Sequence, residues 1–275
     1  VDEDRPLPYV PLEAKGWRFA MGLRPLDLAR WLEVDARRDE ELALKAALLE
    51  ECSDVVVATD PAGREASVEL LDAVGENLAL YHDVTAPAPV LGDHPVVAAA
   101  RLVQEDLCVL LREDAWRLRA ACVCFPSRWD LASKLGATLD EIHSPVPGYD
   151  AALAAPTNAA FDRLSPERSF WRLNWTLVDS PVLHQPRAAR GAPSGDLAEW
   201  YFRVERQTLR RLARTGAVVF TIRTYVASAA ALAASDDAFV ASLLRSLDTA
   251  PADLSVYKGW TGVAERLRAA LRASG

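Results

Sequence analysis

Few residues in this chain combine reactive chemistry with a constrained setting, and His143 is the most constrained. It stands in the run Glu141-Ile-His-Ser-Pro-Val-Pro-Gly-Tyr149. Pro fixes its own φ and pushes the preceding residue out of helical backbone, so Pro145 and Pro147 predict a stiff, extended chain just after the imidazole. The chain holds four His in all. A single His of this kind is either a satisfied structural group or a ligand or acid–base group, and the local sequence leaves both readings standing. Two polar ladders accompany it. Arg172, Asn174 and Thr176 recur at every second position, as do Thr221, Arg223 and Tyr225. Each ladder faces either solvent or a polar cavity. Glu105 and Asp106 place two carboxylates just before an apolar run. There is no Gly-rich phosphate loop, no Ser elbow, no zinc-protease helix and no zinc-spaced Cys/His set.

These residues need elements to position them. The 122–136 stretch begins as an apolar strand that stops at Pro126. A short helix is expected after it, with Ser127 as its cap and Gly136 as its end. Earlier, four prolines in residues 1–16 predict an extended arm. Residues 26–51 read as helix in two pieces, with Leu28, Trp31 and Leu32 on one face of the first and Leu42, Leu44, Leu48 and Leu49 serving the second. Residues 64–81 predict a helix with Val68, Leu71, Val74, Leu78 and Tyr81 inward. Residues 86–95 read as a loop, and a helix is expected from Val96 to about Gln104. Residues 106–111 and 116–125 then predict a β-hairpin turning at Glu113-Asp114, with Trp116, Leu118, Ala120, Cys122 and Cys124 on one face. Strands follow at 168–178, 199–205 and 217–225, with 206–214 ambiguous and 180–196 a long surface loop. Helices are expected from Ala227 to the end, broken near Pro251 and Gly259. The class is α+β: about five antiparallel strands with N- and C-terminal helices around them. Residues 17–275 read as one domain behind the arm.

Composition narrows the function classes. The 275 residues are 51% hydrophobic and 25% charged, with a net charge of -8. That balance disfavours a nucleic-acid backbone or an anionic membrane as partner. The four Cys, Cys52, Cys108, Cys122 and Cys124, form no CxxC pair, and three sit in apolar runs, so reduced thiols are expected. The N-terminus lacks the basic-then-apolar pattern of a signal peptide, and no window suggests a membrane span. A cytoplasmic protein is expected.

A resemblance adds to this reading. Cys124-Phe-Pro-Ser-Arg-Trp129, Lys134-Leu-Gly136, Ile142-His-Ser-Pro-Val-Pro147, Arg172-Leu-Asn-Trp175, Arg203-Val-Glu-Arg-Gln-Thr-Leu209 and Phe220-Thr-Ile-Arg-Thr-Tyr225 are similar to the haem-dependent oxidative N-demethylase family. Gly22-Leu-Arg-Pro-Leu-Asp27 and Gln104-Glu-Asp-Leu107 fit it too. The likeness runs from about Trp17 into the C-terminal helices. It implies a PAS-like core that holds haem b non-covalently. It implies an oxygen-using N-demethylating monooxygenase acting on a small amine. It also implies electrons from a separate reductase with flavin and iron–sulfur centres.

On that resemblance His143 becomes the axial iron ligand, with His94 and His184 next in line. Arg172, Arg206 and Arg223 become partners for the haem propionates, since guanidinium pairs with carboxylate in a fork. Asn174 and Trp175 join the cofactor-binding set. Glu105, Asp106 and Glu205 would balance an alkylammonium or relay protons, and Tyr201, Trp175 and Tyr225 would offer an aromatic face to a cation. Tyr225 joins Glu105, Asp106 and Glu205 in the catalytic set. The alternative function is a non-catalytic haem-binding sensor or carrier, and a haem-free interaction module is a third reading.

Overall fold

A computed structural model describes residues 7–13, 15–186 and 196–273. Seven strands form one open antiparallel sheet. They are β1 (Arg24–Leu26), β2 (Val57–Thr59), β3 (Asp106–Arg112), β4 (Trp116–Cys122), β5 (Ser169–Val178), β6 (Tyr201–Arg211) and β7 (Val218–Ser228). Their spatial order is β1-β5-β6-β7-β3-β4-β2. The expectation of about five strands is corrected here. The five long strands are those read from alternation, an apolar run at 106–111 and β-branched residues at 217–225, and the two additions are three-residue strands at the sheet's two edges. Three residues are too few to show an alternation, so pairing with a longer neighbour defines them. The ambiguous basic segment after Glu205 continues β6, because β7 pairs with it as far as Arg211↔Val218.

The pairing registers give the sheet two distinct sides. Asn174, Glu205 and Thr224 share one side through Asn174↔Glu205 and Glu205↔Thr224. Leu173, Arg206 and Arg223 share the other through Leu173↔Arg206 and Arg206↔Arg223. We call the first side the front and the second the back. Helices Arg38–Glu51, Arg64–Tyr81 and Pro95–Ala100 close the back with a core that includes Leu48, Leu70, Val74, Leu107, Val109 and Val219. Farther along the same side, Phe202 and Val204 pack with Phe239, Leu243 and Trp260 of the C-terminal segment. The front is covered at its β3–β4 end, where Leu139 and Phe161 meet Cys108, Leu110 and Leu118.

The expected face of β4 is broken by a bulge. The register shifts between Val109 and Leu110, so Leu118 pairs with Leu110 while Ala120 pairs with Val109. Trp116 and Leu118 therefore join the front core, and Ala120 and Cys122 join the back core. Gly63 lies against the bulge. A Cβ there would stand 2.6 Å from the Arg119 carbonyl oxygen, so only Gly fits.

Three helical expectations change in detail. The stretch before Arg38 forms only the 3-10 turn Leu28–Arg30, capped by Asp27, and not a helix. Helix Arg64–Tyr81 has the expected bounds but is rotated: Val68 is 39% and Tyr81 50% exposed. Its buried side includes Ser67, which donates to the Gly63 carbonyl, and Asn77, which donates to that of Leu28. Satisfied polar groups can be buried, and the apolar count misses them. The helix expected after Val96 runs only over Pro95–Ala100.

The 126–149 region departs most from expectation. Ser127 caps no helix; it makes an isolated bridge to Gln185, and only the turn Ala132–Lys134 follows. Gly136 takes a φ of 78°. The real cap is Thr138, whose hydroxyl accepts from Glu141 N while the Glu141 carboxylate accepts from Thr138 N. This capping box starts helix Leu139–His143. After His143 the chain turns and does not extend: Val146 N donates to the His143 carbonyl at 2.8 Å.

The described part of the expected arm, residues 7–13, has no regular structure, although Leu7, Tyr9 and Leu12 pack on the back-side core. Residues 1–6 and 14 of the arm, and residues 187–195 of the expected surface loop, lie outside the described residues. Among the described residues, no helix is long and apolar enough to cross a membrane.

Candidate functional site

The sequence-derived site residues do not form one cluster. Period-two geometry divides them between the two sides of the sheet, and the sides differ in how their charges are satisfied.

On the back, Arg206 and Arg223 are held in ion pairs. Arg223 Nη2 lies 2.9 Å from Asp35 and Nη1 2.7 Å from Glu41. Arg206 Nε lies 3.1 Å from Glu33, and its terminal nitrogens donate to the carbonyls of Trp31 and Arg30. Tyr225 donates to Glu33 as well, and burial pushes its phenol pKa well above the usual value. Glu105 accepts from Glu33 N at 2.8 Å, and burial raises its carboxyl pKa. A cavity of about 580 Å³ opens here, lined by Arg30, Glu33, Asp35, Glu41, His82 and Tyr225 among others. Its carboxylates are already matched by Arg206, Arg223 and the tyrosines. These groups tie residues 30–41 to the sheet. Arg206 and Arg223 are thus removed from the set of free anion-binding groups. Trp175 is removed too: it is stacked on Trp260 at 4.8 Å in the back core.

Asp106 is also committed to structure. It accepts from Cys124 N at 2.8 Å and Phe125 N at 2.9 Å, and burial pushes its carboxyl up to about 6. Glu105 and Asp106 are chain neighbours engaged by different segments, residue 33 and residues 124–125, and do not form a pair. Arg203, on the front, donates to the carbonyls of Leu183 and Phe125. Tyr201 pairs with Val178 and Ser228 at the end of the sheet.

The front side between β5 and β7 is different. Phe170, Arg172, Asn174 and Thr176 of β5, Gln207 of β6 and Phe220 of β7 are all only half-buried. Phe170 and Phe220 lie against the front core, and the polar residues lie beyond it. Glu205 sits among them, 9% exposed, and accepts from Asn174 at 3.2 Å and Gln207 at 2.9 Å. Thr224 beside it is 1% exposed with no partner for its hydroxyl. Arg172 has no hydrogen-bonding or ion-pair partner among the described residues, and its Nε is buried. Burial pushes the Arg172 pKa down, while the Glu205 carboxylate acts to raise it.

His143 joins this side. Its Nδ1 lies 2.7 Å from the Leu139 carbonyl, and its ring stacks on Tyr149 at 4.6 Å with a 13° interplanar angle. In the tautomer that satisfies the Leu139 carbonyl, Nδ1 donates and Nε2 keeps its lone pair. Burial pushes the imidazole pKa down, and the nearby Arg172 charge adds to the effect. The other two candidate histidines serve elsewhere. His94 caps helix Pro95–Ala100, and His184 bonds the Cys124 carbonyl at 2.7 Å.

Sequence reasoning missed two members of this front side, Gln207 and Thr224, and a back-layer cation, Lys258, set against Trp17 and Trp260. The first two follow from extending the alternation of Arg203 and Glu205 and pairing it with β7. Lys258 gives no local signal, because a single Lys in a C-terminal helix is ordinary.

An oriented imidazole beside a guanidinium with no ion pair among the described residues thus stands on the front of an α+β protein built on an open antiparallel sheet. Residues 22–268 match the family model described as haem-dependent oxidative N-demethylase, alpha subunit-like. The chain belongs to that family.

Proposed function

We propose that the front face holds haem b through His143, and that the protein carries out oxygen-dependent N-demethylation of an amine there. The observation that carries this reading is the free Nε2 of an imidazole oriented by the Leu139 carbonyl, beside Arg172, among the half-buried polar residues of the front. A metal-bound His needs its other nitrogen held by a carbonyl or carboxylate, and Leu139 supplies this. Phe170 and Phe220, packed against the front core, would border the porphyrin with their half-buried rings. The residues present therefore fit the group. The PAS-like core would be the five long strands, with β1 and β2 added at the edges.

When bound, haem supplies the binding and reductive activation of oxygen. The overall reaction takes an N-methylamine, oxygen, two electrons and two protons to the demethylated amine, formaldehyde and water. The electrons would come from a reductase partner with flavin and iron–sulfur centres. His143 would ligate the iron through Nε2. Arg172 would pair with a propionate, since it is the one of the three expected guanidiniums that is uncommitted. Asn174 and Gln207 would hold the Glu205 carboxylate in place, and Glu205 would face the substrate ammonium. Covering the face with cofactor and substrate would exclude water from Glu205 and strengthen that attraction.

The test is an absorption spectrum of the protein with and without hemin, beside His143→Ala. A sharp Soret band that shifts on reduction and on carbon monoxide, and that changes in the variant, is the expected result. Amines would then be screened by formaldehyde release. No haem uptake by the wild type would overturn the proposal.

A further inference from the structure

The run from His143 to Tyr149 folds back on itself in two successive turns. Val146 N donates to the His143 carbonyl at 2.8 Å, and Tyr149 N donates to the Val146 carbonyl at 3.1 Å. The second turn, Val146-Pro-Gly-Tyr149, has the makeup of a type II turn: Pro147 takes its second position, and Gly148 the third, with φ 76° and ψ 0°. A Cβ on Gly148 would also press the Phe19 ring, at 3.3 Å. Glycine is therefore required both by the backbone and by the space. The reversal lays Tyr149 flat on the His143 imidazole, with ring centroids 4.6 Å apart and planes 13° apart. Tyr149 opens the short helix Tyr149–Ala152 and is only 3% exposed, so the ring is firmly seated.

The stack supplies what the hydrogen bond to Leu139 lacks. That bond, at 2.7 Å, fixes where Nδ1 sits. It leaves the ring able to rock about the line from Nδ1 to the carbonyl, because the last torsion of a His side chain is broad. An aromatic face held parallel to the imidazole removes that rocking and adds favourable contact of its own. One contact lies in the plane of the ring and the other on its face, so together they fix the position of the imidazole and its tilt. The direction of the Nε2 lone pair follows from both. The Tyr149 hydroxyl has no part in this: it is buried without a well-formed hydrogen bond, with Thr157 near it. The ring does the holding, and Phe at this position would do the same.

We propose that Tyr149 is a positioning residue: it holds the plane of the His143 imidazole so that Nε2 presents its lone pair in one direction. Its value for haem rests on the reading given above; the hold on His143 does not. A ligand group that is already oriented loses less freedom on binding, so Tyr149 raises hemin affinity through His143. The sequence His143-Ser-Pro-Val-Pro-Gly-Tyr149 is thus one unit, in which the prolines and the glycine bring the second ring back to the first.

The experiment has two arms. In the haem-free protein, NMR follows the ring protons of His143, identified by their loss in His143→Ala. A stacked aromatic ring shifts such signals upfield, so the wild type and Tyr149→Phe should show the shift and Tyr149→Leu should not. Wild-type signals without the shift would overturn the proposal. In the second arm hemin is titrated into the same proteins and into Gly148→Ala, with urea midpoints measured for each. Tyr149→Leu should bind hemin roughly tenfold to a hundredfold more weakly than the wild type, the scale for losing a group that orients a metal ligand. Tyr149→Phe should bind as tightly as the wild type, and Gly148→Ala, which keeps the ring but displaces it, should bind more weakly. Equal hemin affinity in Tyr149→Leu and the wild type would overturn the proposal. So would a Tyr149→Phe variant as weak as Tyr149→Leu, which would make the hydroxyl the working group. If Tyr149→Leu does not fold, Gly148→Ala decides: loss of the upfield shift and of affinity together upholds the proposal, and unchanged affinity ends it. If the wild type takes up no hemin, the haem reading fails separately, and the NMR arm decides this one.

Discussion

Arg223 Nη1 lies 2.7 Å from the Glu41 carboxylate, and both side chains are almost wholly buried, at 0% and 2% exposure. This contact fastens the helix Arg38–Glu51 to the centre of the sheet. Removing one partner of a buried pair leaves the other charge uncompensated, at a cost of about 3–5 kcal/mol. Arg223→Gln is therefore expected to lower the urea midpoint strongly. Loss of haem binding without a loss of stability would show that Arg223 has a cofactor role after all.

Arg172 should behave in the opposite way. It has no partner to lose, so Arg172→Gln is expected to leave stability within about 1 kcal/mol of the wild type. Its effect should appear in hemin affinity, measured by Soret titration. The pair of variants separates the two sides of the sheet by phenotype.

His143→Ala should abolish or alter the Soret band, whereas His94→Gln and His184→Gln should leave the band position unchanged. A spectrum that changes only in His184→Gln would move the ligand to the loop held against the Cys124 carbonyl.

Asp106 predicts a pH dependence. Burial lifts its carboxyl to about 6 in the folded protein, and an unfolded Asp titrates near about 3.9. Between these values the folded state binds more protons than the unfolded state, so this group's contribution falls as pH rises. Asp106→Asn cannot titrate. The wild type's stability advantage over the variant should therefore shrink between about pH 4 and pH 6, by up to roughly 3 kcal/mol. Urea denaturation at several pH values measures this, and a constant gap would contradict it.

Gly63→Ala tests the bulge in β4. The added methyl would meet the Arg119 carbonyl oxygen at 2.6 Å, which is backbone and cannot swing away. A loss of about 1–3 kcal/mol is expected from thermal or urea unfolding.

Part of the proposed site was legible at the level of residue type. His143, Arg172 and Asn174 were named from the sequence pattern and Glu205 from the resemblance, and the last three share one side because strand periodicity is two. The same rule, applied across Glu205-Arg206, already says that neighbours in a strand cannot meet. The cap at Thr138 was legible in the Thr-x-x-Glu spacing, but the pull of Ser127 after Pro126 placed the helix too early.

The sequence by itself determined the class, the five long strands and the bounds of helix Arg64–Tyr81, because alternation and helical spacing are local properties of the chain. Tertiary structure decided which charges are spent and which are left open. Arg172 and Arg223 look alike in sequence, each in a polar ladder on a strand. They differ because Asp35 and Glu41, far away in the chain, fold against one of them, while no described side chain pairs with the other.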